Sequence, residues 1–570
     1  MWAAVTLVIG ILPMVAGYPW LRDMIPNGYN ISSPCNPNDT WQGVGHWNRL
    51  GSGDRNPFGL AFAAYGYVWT AELCYADSDG DGKTNGEELG DPNCTWFPNE
   101  TPEVTTGLSH PGICEPLDDP VCMALNGDNF ECQDFNCNPA NEPGVTSYTV
   151  RLTPSQVPVQ ETTYMCQLVD LPSDQDYHIV SLEPYIDNVN VIHHILLYGC
   201  TDDADVSEEQ TTPYACFMSG REGCGDLIGL WAVGGGGICF DVDAAFRIGL
   251  TTYKRGILEL HWNNPRNTDT YTDGSGLILH ITPNLRSYDA GMYTIGQSIL
   301  KIPSGREKHV ENGTCPSECT YERMIDTVNI VGATNHMHYL GIYGRSQIRR
   351  YDTGEVEIIS EDKEYRYDSP TFKMHDEPIQ MRPGDSLEMT CAFKSTSRNS
   401  TTFYGEGTSD EMCLSFVMFY PKQNVIGSSC VATGPIAECH WDDPVIGGCK
   451  MSLFDYTQPA GQAFIGELWE KCVPGYCTEE CKELTRKNLT GPCYQGDLKF
   501  IFQRDMRTQS NPERFTMMEY WYKIDSCMKE IEMEEKCKDG WNPPYTGGAS
   551  RLGTVPFIVA ILTGIIAMFL

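Results

Sequence analysis

Between about Tyr148 and Tyr420 the chain alternates short apolar runs with polar breaks. Tyr148-Thr-Val-Arg-Leu, His178-Ile-Val-Ser-Leu, Val191-Ile-His-His-Ile-Leu-Leu-Tyr and Gly256-Ile-Leu-Glu-Leu-His-Trp are rich in β-branched residues and are separated by Pro, Gly, Asn and Asp. Strands at this spacing predict sandwiches or barrels. The region is long enough for two, with a boundary near Pro283 to Tyr288. Upstream, residues 18–115 are rich in Gly, Pro, Asn and Asp, with one helix predicted over Leu60 to Cys74 despite Gly66. Residues 116–147 read as a linker in which Cys122, Cys132 and Cys137 act as local staples. After Pro421 cysteines crowd again, and residues 426–546 predict a compact Cys-rich region with a helix over Arg514 to Cys537. The fold class is therefore mainly β, flanked by two small disulfide-rich regions.

The two ends are apolar. Residues 1–17 close on Val15-Ala16-Gly17 and read as a signal peptide, although a positive start is missing. Residues 547–570 combine Gly547-Gly-Ala-Ser550, a short spacer and an apolar tail. That order predicts either a GPI-addition signal or a short membrane anchor. Twenty-five cysteines among 570 residues call for an oxidising compartment, and their odd number leaves at least one outside any internal pair. Asn-x-Ser/Thr sequons at Asn30, Asn38, Asn93, Asn99, Asn312, Asn399 and Asn488 add the expectation of glycosylated loops. The expected location is the secretory pathway, then the cell surface or outside. A net charge of -37 argues against a nucleic-acid partner, because phosphates would be repelled.

Asp77-Ser-Asp79-Gly-Asp81-Gly82-Lys83-Thr-Asn85-Gly-Glu-Glu88 has the D-x-D-x-D-G-x5-E form of a calcium loop. Carboxylates at Asp77, Asp79 and Asp81 face one point, Gly82 permits the turn, and Lys83 offers its carbonyl. Asn85 acts directly or through water, and Glu88 can bind with both oxygens. Leu89-Gly-Asp-Pro92 prevents a normal exit helix, so the expectation is structural calcium, not a sensor. The first hundred mature residues resemble the temptin family at Ile25-Pro-Asn-Gly28, Gly43-Val-Gly-His46, Asn56-Pro-Phe-Gly59, the calcium loop and Gly90-Asp-Pro-Asn-Cys94. That resemblance implies disulfides Cys74–Cys94 and Cys35–Cys114, and a role in extracellular signalling or adhesion.

Only 12 histidines occur, yet two pairs stand out: His193-His194 inside an apolar run, and His336-Met-His338. An i, i+2 pair on a strand faces one side and suits chelation; an adjacent pair shares a metal only at a bend. His261 lies in another strand-like run. Three histidines alone suggest zinc, whereas a thioether such as Met412 favours copper. With Glu259-Leu-His-Trp-Asn-Asn-Pro265, Asp289-Ala-Gly-Met-Tyr293, Arg382-Pro-Gly-Asp385 and Ser409-Asp-Glu-Met-Cys413, residues 148–421 resemble the copper type II ascorbate-dependent monooxygenases, nearer the dopamine and tyramine beta-hydroxylase branch.

The resemblance implies two antiparallel, jelly-roll-like β-sandwich domains, 148–284 and 285–425, each holding one copper across a solvent-filled cleft. One copper takes His193, His194 and His261 and supplies electrons. The other takes His336, His338 and Met412, binds O2 and carries out the hydroxylation, with ascorbate as reductant. Disulfides Cys391–Cys413 and Cys200–Cys224 are also implied. This chain departs from the family at Ile195, Asn329 and Met337. Thr334 and Phe416 replace the Arg and Tyr that hold a peptide carboxylate in the amidating branch, which turns the expectation away from peptides. The leading reading is a copper monooxygenase acting on a small organic, phenethylamine-like substrate. The alternative is an inactive extracellular calcium-binding adhesion, matrix or signalling protein that keeps the oxygenase fold. A zinc hydrolase lacks support, since no His-Glu-x-x-His occurs.

Overall fold

The computed structural model describes residues 19–538, apart from 52, 128–134, 207, 217–222, 241, 368–369, 441–444, 454–457, 474–476, 497 and 502–512. The expected signal peptide and C-terminal anchor lie outside these residues. Among the described residues no helix is long and apolar enough to cross a membrane. Residues 1–446 form one body and 447–570 another.

The first body is mainly β. Its apolar runs become strands, and the central ones are buried on both faces. A five-stranded sheet runs in the order Tyr214–Ala215, Thr162–Asp170, Arg255–Asn263, Ile192–Cys200, Asp226–Ala232. A six-stranded sheet is built on Thr146–Arg151, Gly276–Thr282, Asp176–Tyr185 and Ala244–Gly249. Leu182, Leu279 and Phe246 of the second sheet share one apolar cluster with Leu197, Leu258 and Trp262 of the first. Further along, Lys373–Met381, Val328–His336, Cys413–Tyr420, Gly291–Gln297 and Ser429–Ala432 form a five-stranded sheet. His309–Cys315, Ser386–Phe393, Gly341–Arg349 and Val356–Asp362 form a four-stranded one. Residues 429–432, grouped by sequence with the Cys-rich region, instead pair in parallel with Gly291–Gln297, and disulfides Cys315–Cys430 and Cys319–Cys439 fasten that segment.

The expected helix over Leu60 to Cys74 is broken in two, Pro57–Ala64 and Ala71–Cys74. Gly66 and Tyr67 both take left-handed backbone angles, φ 69° and 59°, which no helix continues. Thr70 then caps the second piece through Leu73 N–H. A five-residue helix, Asn85–Leu89, closes the acidic loop, and Gly90 ends it at φ 81°.

Cys74–Cys94, Cys200–Cys224 and Cys391–Cys413 are all formed. Two cysteine expectations need correction. Cys114 bonds to Cys122, only eight residues away on the helix Pro120–Asn126, and so is not paired with Cys35, which is itself in a disulfide. Cys137 is no local staple; it reaches Cys239, 102 residues on. Cys132 falls outside the described residues. In the second body, the helices Pro459–Lys471, Glu479–Leu489 and Glu513–Lys538 carry Cys449–Cys493, Cys472–Cys481 and Cys477–Cys527 around them.

Candidate metal centre

The strands Ile192–Cys200 and Arg255–Asn263 lie side by side, with His194 opposite His261. The next pair is Ile192 with Trp262, so His193 is the extra residue of a β-bulge. The bulge lets two adjacent histidines face one point, which a regular strand forbids. Trp262 anchors the neighbouring strand from the core side, its indole N–H donating to Asp273 at 2.7 Å. Val233 N–H donates to the His193 carbonyl. As a result the Nδ1 atoms of His193 and His194 are 3.3 Å apart, and those of His194 and His261 3.4 Å. Two nitrogens bound tetrahedrally at about 2.0 Å to one ion stand about 3.3 Å apart. All three rings are buried, and the Nε2 atoms of His194 and His261 have no hydrogen-bond partner.

The second set sits where Val328–His336 ends beside Cys413–Tyr420, with His336 opposite Leu414. Continuing that register puts Met412 opposite His338, and Met412 is fully buried. The His336 and His338 rings are 5.3 Å apart and perpendicular. The Nδ1 of His338 bonds to the Asp410 carbonyl at 3.1 Å, which leaves its Nε2 for a metal. The Nε2 atoms of both histidines are buried without partners.

Burial shifts all five imidazoles towards the neutral form that a metal requires. It lowers His193 to about 3, aided by His336, and His336 to about 4. His194, His261 and His338 are pushed well below the ordinary range, again by burial first and neighbouring imidazoles second.

The two sets do not face each other across an open cleft. The His194 and His336 ring centroids are 6.0 Å apart. Tyr367 fills the space between, stacked on His193 at 4.1 Å and edge-on to His338 at 5.7 Å. Its carbonyl bonds to His193 Nε2 at 3.1 Å. Met292, Val331 and Met418 join the first domain's core, so apolar contact holds the two halves together.

Sequence reasoning passed over Tyr367 and two anchors of the second set. Glu411, fully buried, accepts from His338 N–H at 2.9 Å and Leu340 N–H at 2.5 Å. The Tyr365 hydroxyl accepts from Met337 N–H at 2.9 Å and donates to the Met337 carbonyl at 2.7 Å. Glu411 was visible inside the Ser409–Cys413 motif; the tyrosines carried no sequence signal. Thr334 and Phe416 are paired directly across the two strands, and the Phe416 ring is 6.2 Å from His336. Ile195 and Met337 are fully buried packing residues.

In the acidic loop, Asp77 accepts from Gly80 and Gly82 N–H, and Asp79 and Asp81 each accept one backbone N–H. This leaves Asp79 Oδ2, Asp81 Oδ2 and Glu88 Oε2 buried without hydrogen-bond partners. Ser109, not foreseen, donates to the other Glu88 oxygen. Burial, then carboxylate neighbours, raises Asp79 to about 7 and Glu88 to about 9. The Asn85 amide is turned towards the Leu73 carbonyl and Ser78.

Comparison with known proteins matches this architecture. Residues 148–269 fit the copper type II ascorbate-dependent monooxygenase N-terminal domain, and 288–440 its C-terminal domain. Residues 15–113 fit the temptin C-terminal family. The chain belongs to the copper type II ascorbate-dependent monooxygenases and carries a temptin-family domain ahead of the two copper-family domains. It is 32% identical to DBH-like monooxygenase protein 1 of Gallus gallus, over 50% of this chain and 49% of that one. It is 31% identical to tyramine beta-hydroxylase of Caenorhabditis briggsae, over 48% of each. It is 52% identical to temptin of Aplysia californica, over 20% of this chain and 90% of that one. The chain spans about half the length of the monooxygenase relatives.

Proposed function

We propose that the protein is a two-copper monooxygenase that hydroxylates a C–H bond of a small organic substrate with O2 and ascorbate. The observation that carries this reading is two buried histidine sets, one in which the Nδ1 atoms of His193, His194 and His261 lie 3.3–3.4 Å from their neighbours, and one in which the Nε2 atoms of His336 and His338 are buried without hydrogen-bond partners. His193, His194 and His261 would hold one copper, and His336, His338 and Met412 the other. Copper supplies one-electron transfer at the first site and oxygen activation at the second. The chain's own residues fix this chemistry in place. The bulge at His193 aims its ring, Glu411 and Tyr365 hold the backbone on either side of His338, and Asp410 sets the His338 tautomer. The apolar wall of Phe416 and Tyr367 excludes water from the space beside the histidines. Thr334 and Phe416 offer no cation for a peptide carboxylate, which favours an aromatic amine over a peptide.

The shared core of each sheet pair supports β-sandwich domains at 148–284 and 285–425. Three carboxylate oxygens without hydrogen-bond partners support structural calcium at Asp77, Asp79, Asp81 and Glu88, with the Lys83 carbonyl. The disulfides support passage through the secretory pathway. Exposure of Asn30, Asn38, Asn93, Asn99, Asn312 and Asn399 suits glycosylation there, whereas Asn488 is half-buried. A GPI or membrane anchor within 547–570 stays part of the proposal.

The test is copper content and O2 uptake by the full chain with ascorbate and a panel of phenethylamines. Two coppers per chain with hydroxylated product, lost in Met412→Ala, is the expected result. No copper after reconstitution would overturn the enzyme reading and leave a calcium-binding protein.

A further inference from the structure

Between the N-terminal temptin-family domain and the first copper-family domain lies a cavity of about 510 Å³. It is a half-open cleft, and its volume falls within the size range of small-molecule sites. One wall comes from the temptin side, with Ile25, Phe58, Phe62 and Tyr67. The other comes from the copper side, with Ile186, Ile192 and Trp231. Ile192 directly precedes His193, and Val233, also at the wall, donates its N–H to the His193 carbonyl. The cavity therefore backs onto the strands that aim the first histidine set.

Its charge runs against that of the molecule. The chain carries -37, yet no Asp or Glu is among the described residues lining this cavity. Two guanidinium groups are. Arg55 is only 7% exposed and sits 5.5 Å over the Tyr67 ring. Arg22 is half-buried and stacks on Tyr29 at 4.3 Å. Burial lowers the third ionisable group, His46, to about 4, with Arg55 as the second cause, so it is neutral here. Guanidinium groups in the lining of an apolar cleft favour a carboxylate or sulfonate, which they can meet with charge-assisted hydrogen bonds.

We propose that this cavity binds a small molecule with an apolar body and a single anionic head, placed between Phe58, Phe62 and Trp231 and held at its head by Arg55 and Arg22. The site is separate from the histidine sets and does not depend on copper chemistry.

The test is a fluorescence titration of the full chain with 8-anilinonaphthalene-1-sulfonate, followed by displacement with decanoate and with decanol. It is run on copper-loaded and on chelator-treated protein, so that loss of the copper reading leaves the result interpretable. One saturable site is expected, with decanoate displacing the probe at least about tenfold better than decanol. Arg22→Gln combined with Arg55→Gln should bring decanoate down to the level of decanol. Leu50→Trp, which fills the cavity from a half-buried lining position, should remove both. If the double arginine variant fails to fold, judged by its circular dichroism, Leu50→Trp decides. Equal displacement by decanoate and decanol, or unchanged binding in Leu50→Trp, would overturn the proposal.

Discussion

His194 and His261 face each other from neighbouring strands with their Nδ1 atoms 3.4 Å apart, and each turns a buried, unpartnered Nε2 away. Burial keeps both imidazoles neutral, so each has one ring nitrogen with a lone pair available to a metal. His261→Ala is therefore expected to lower copper from two per chain to one, leaving the Met412 site filled. Metal analysis with electron paramagnetic resonance reads this directly. Retention of both coppers would show that the three histidines are core residues.

Glu411 acts on the second set through the His338 and Leu340 N–H groups, while Met412 beside it, opposite His338 in register, is the proposed thioether ligand. The two substitutions should separate. Met412→Ala should abolish turnover and remove sulfur scattering from the copper X-ray absorption spectrum. Glu411→Gln keeps one acceptor oxygen, so it should retain the sulfur signal and weaken copper binding about 10–100-fold, as supporting partners of metal ligands do. Identical spectra and affinities in the two variants would contradict this division of roles.

The sheets were legible because doubly buried strands are short apolar, β-branched runs set off by Pro, Gly, Asn and Asp. Ile192 to Tyr198 and Gly256 to Trp262 read as strands and are strands, buried at every position. The bulge at His193 was foreseen only as a condition, a bend that adjacent histidines would need, because register depends on the partner strand. The contact between the two histidine sets was not legible at all. It arises from Tyr367, 29 residues beyond His338, and from Met292 and Met418 entering the first domain's core, and neither leaves a periodic trace. Three expected disulfides formed, and two cysteine expectations failed for the same reason: Cys114 took the near neighbour Cys122, whereas Cys137 crossed to Cys239.

Asp79 and Glu88 are buried side chains of a largely exposed loop, each with one oxygen lacking a hydrogen-bond partner, and each is pushed towards the protonated form when no cation is present. Calcium should relieve that strain. At a concentration 100 times its dissociation constant it should stabilise the N-terminal domain by about 2.7 kcal/mol. Asp79→Asn together with Glu88→Gln should remove the calcium-dependent rise in melting temperature and leave copper content at two. A melting temperature indifferent to calcium in the unaltered chain would count against the site.

His110 is fully buried, accepts Gly112 N–H at its Nδ1 and meets the Trp41 ring edge-on at 5.3 Å. Burial lowers it to about 3. The sign follows from linkage. In the unfolded chain it takes a proton below about pH 6.5, while the folded domain refuses one down to about pH 3. The unfolded state then binds more protons, so stability falls as pH drops through this window and is unaffected above it. Between pH 7.5 and 5 the loss should be about 2 kcal/mol for this one group. His110→Gln keeps an acceptor for Gly112 and removes the titration. Urea unfolding at the two pH values, in saturating calcium, should show the variant losing about 2 kcal/mol less than the unaltered chain. Equal losses would mean that His110 is protonated within the folded domain, and that burial does not govern it.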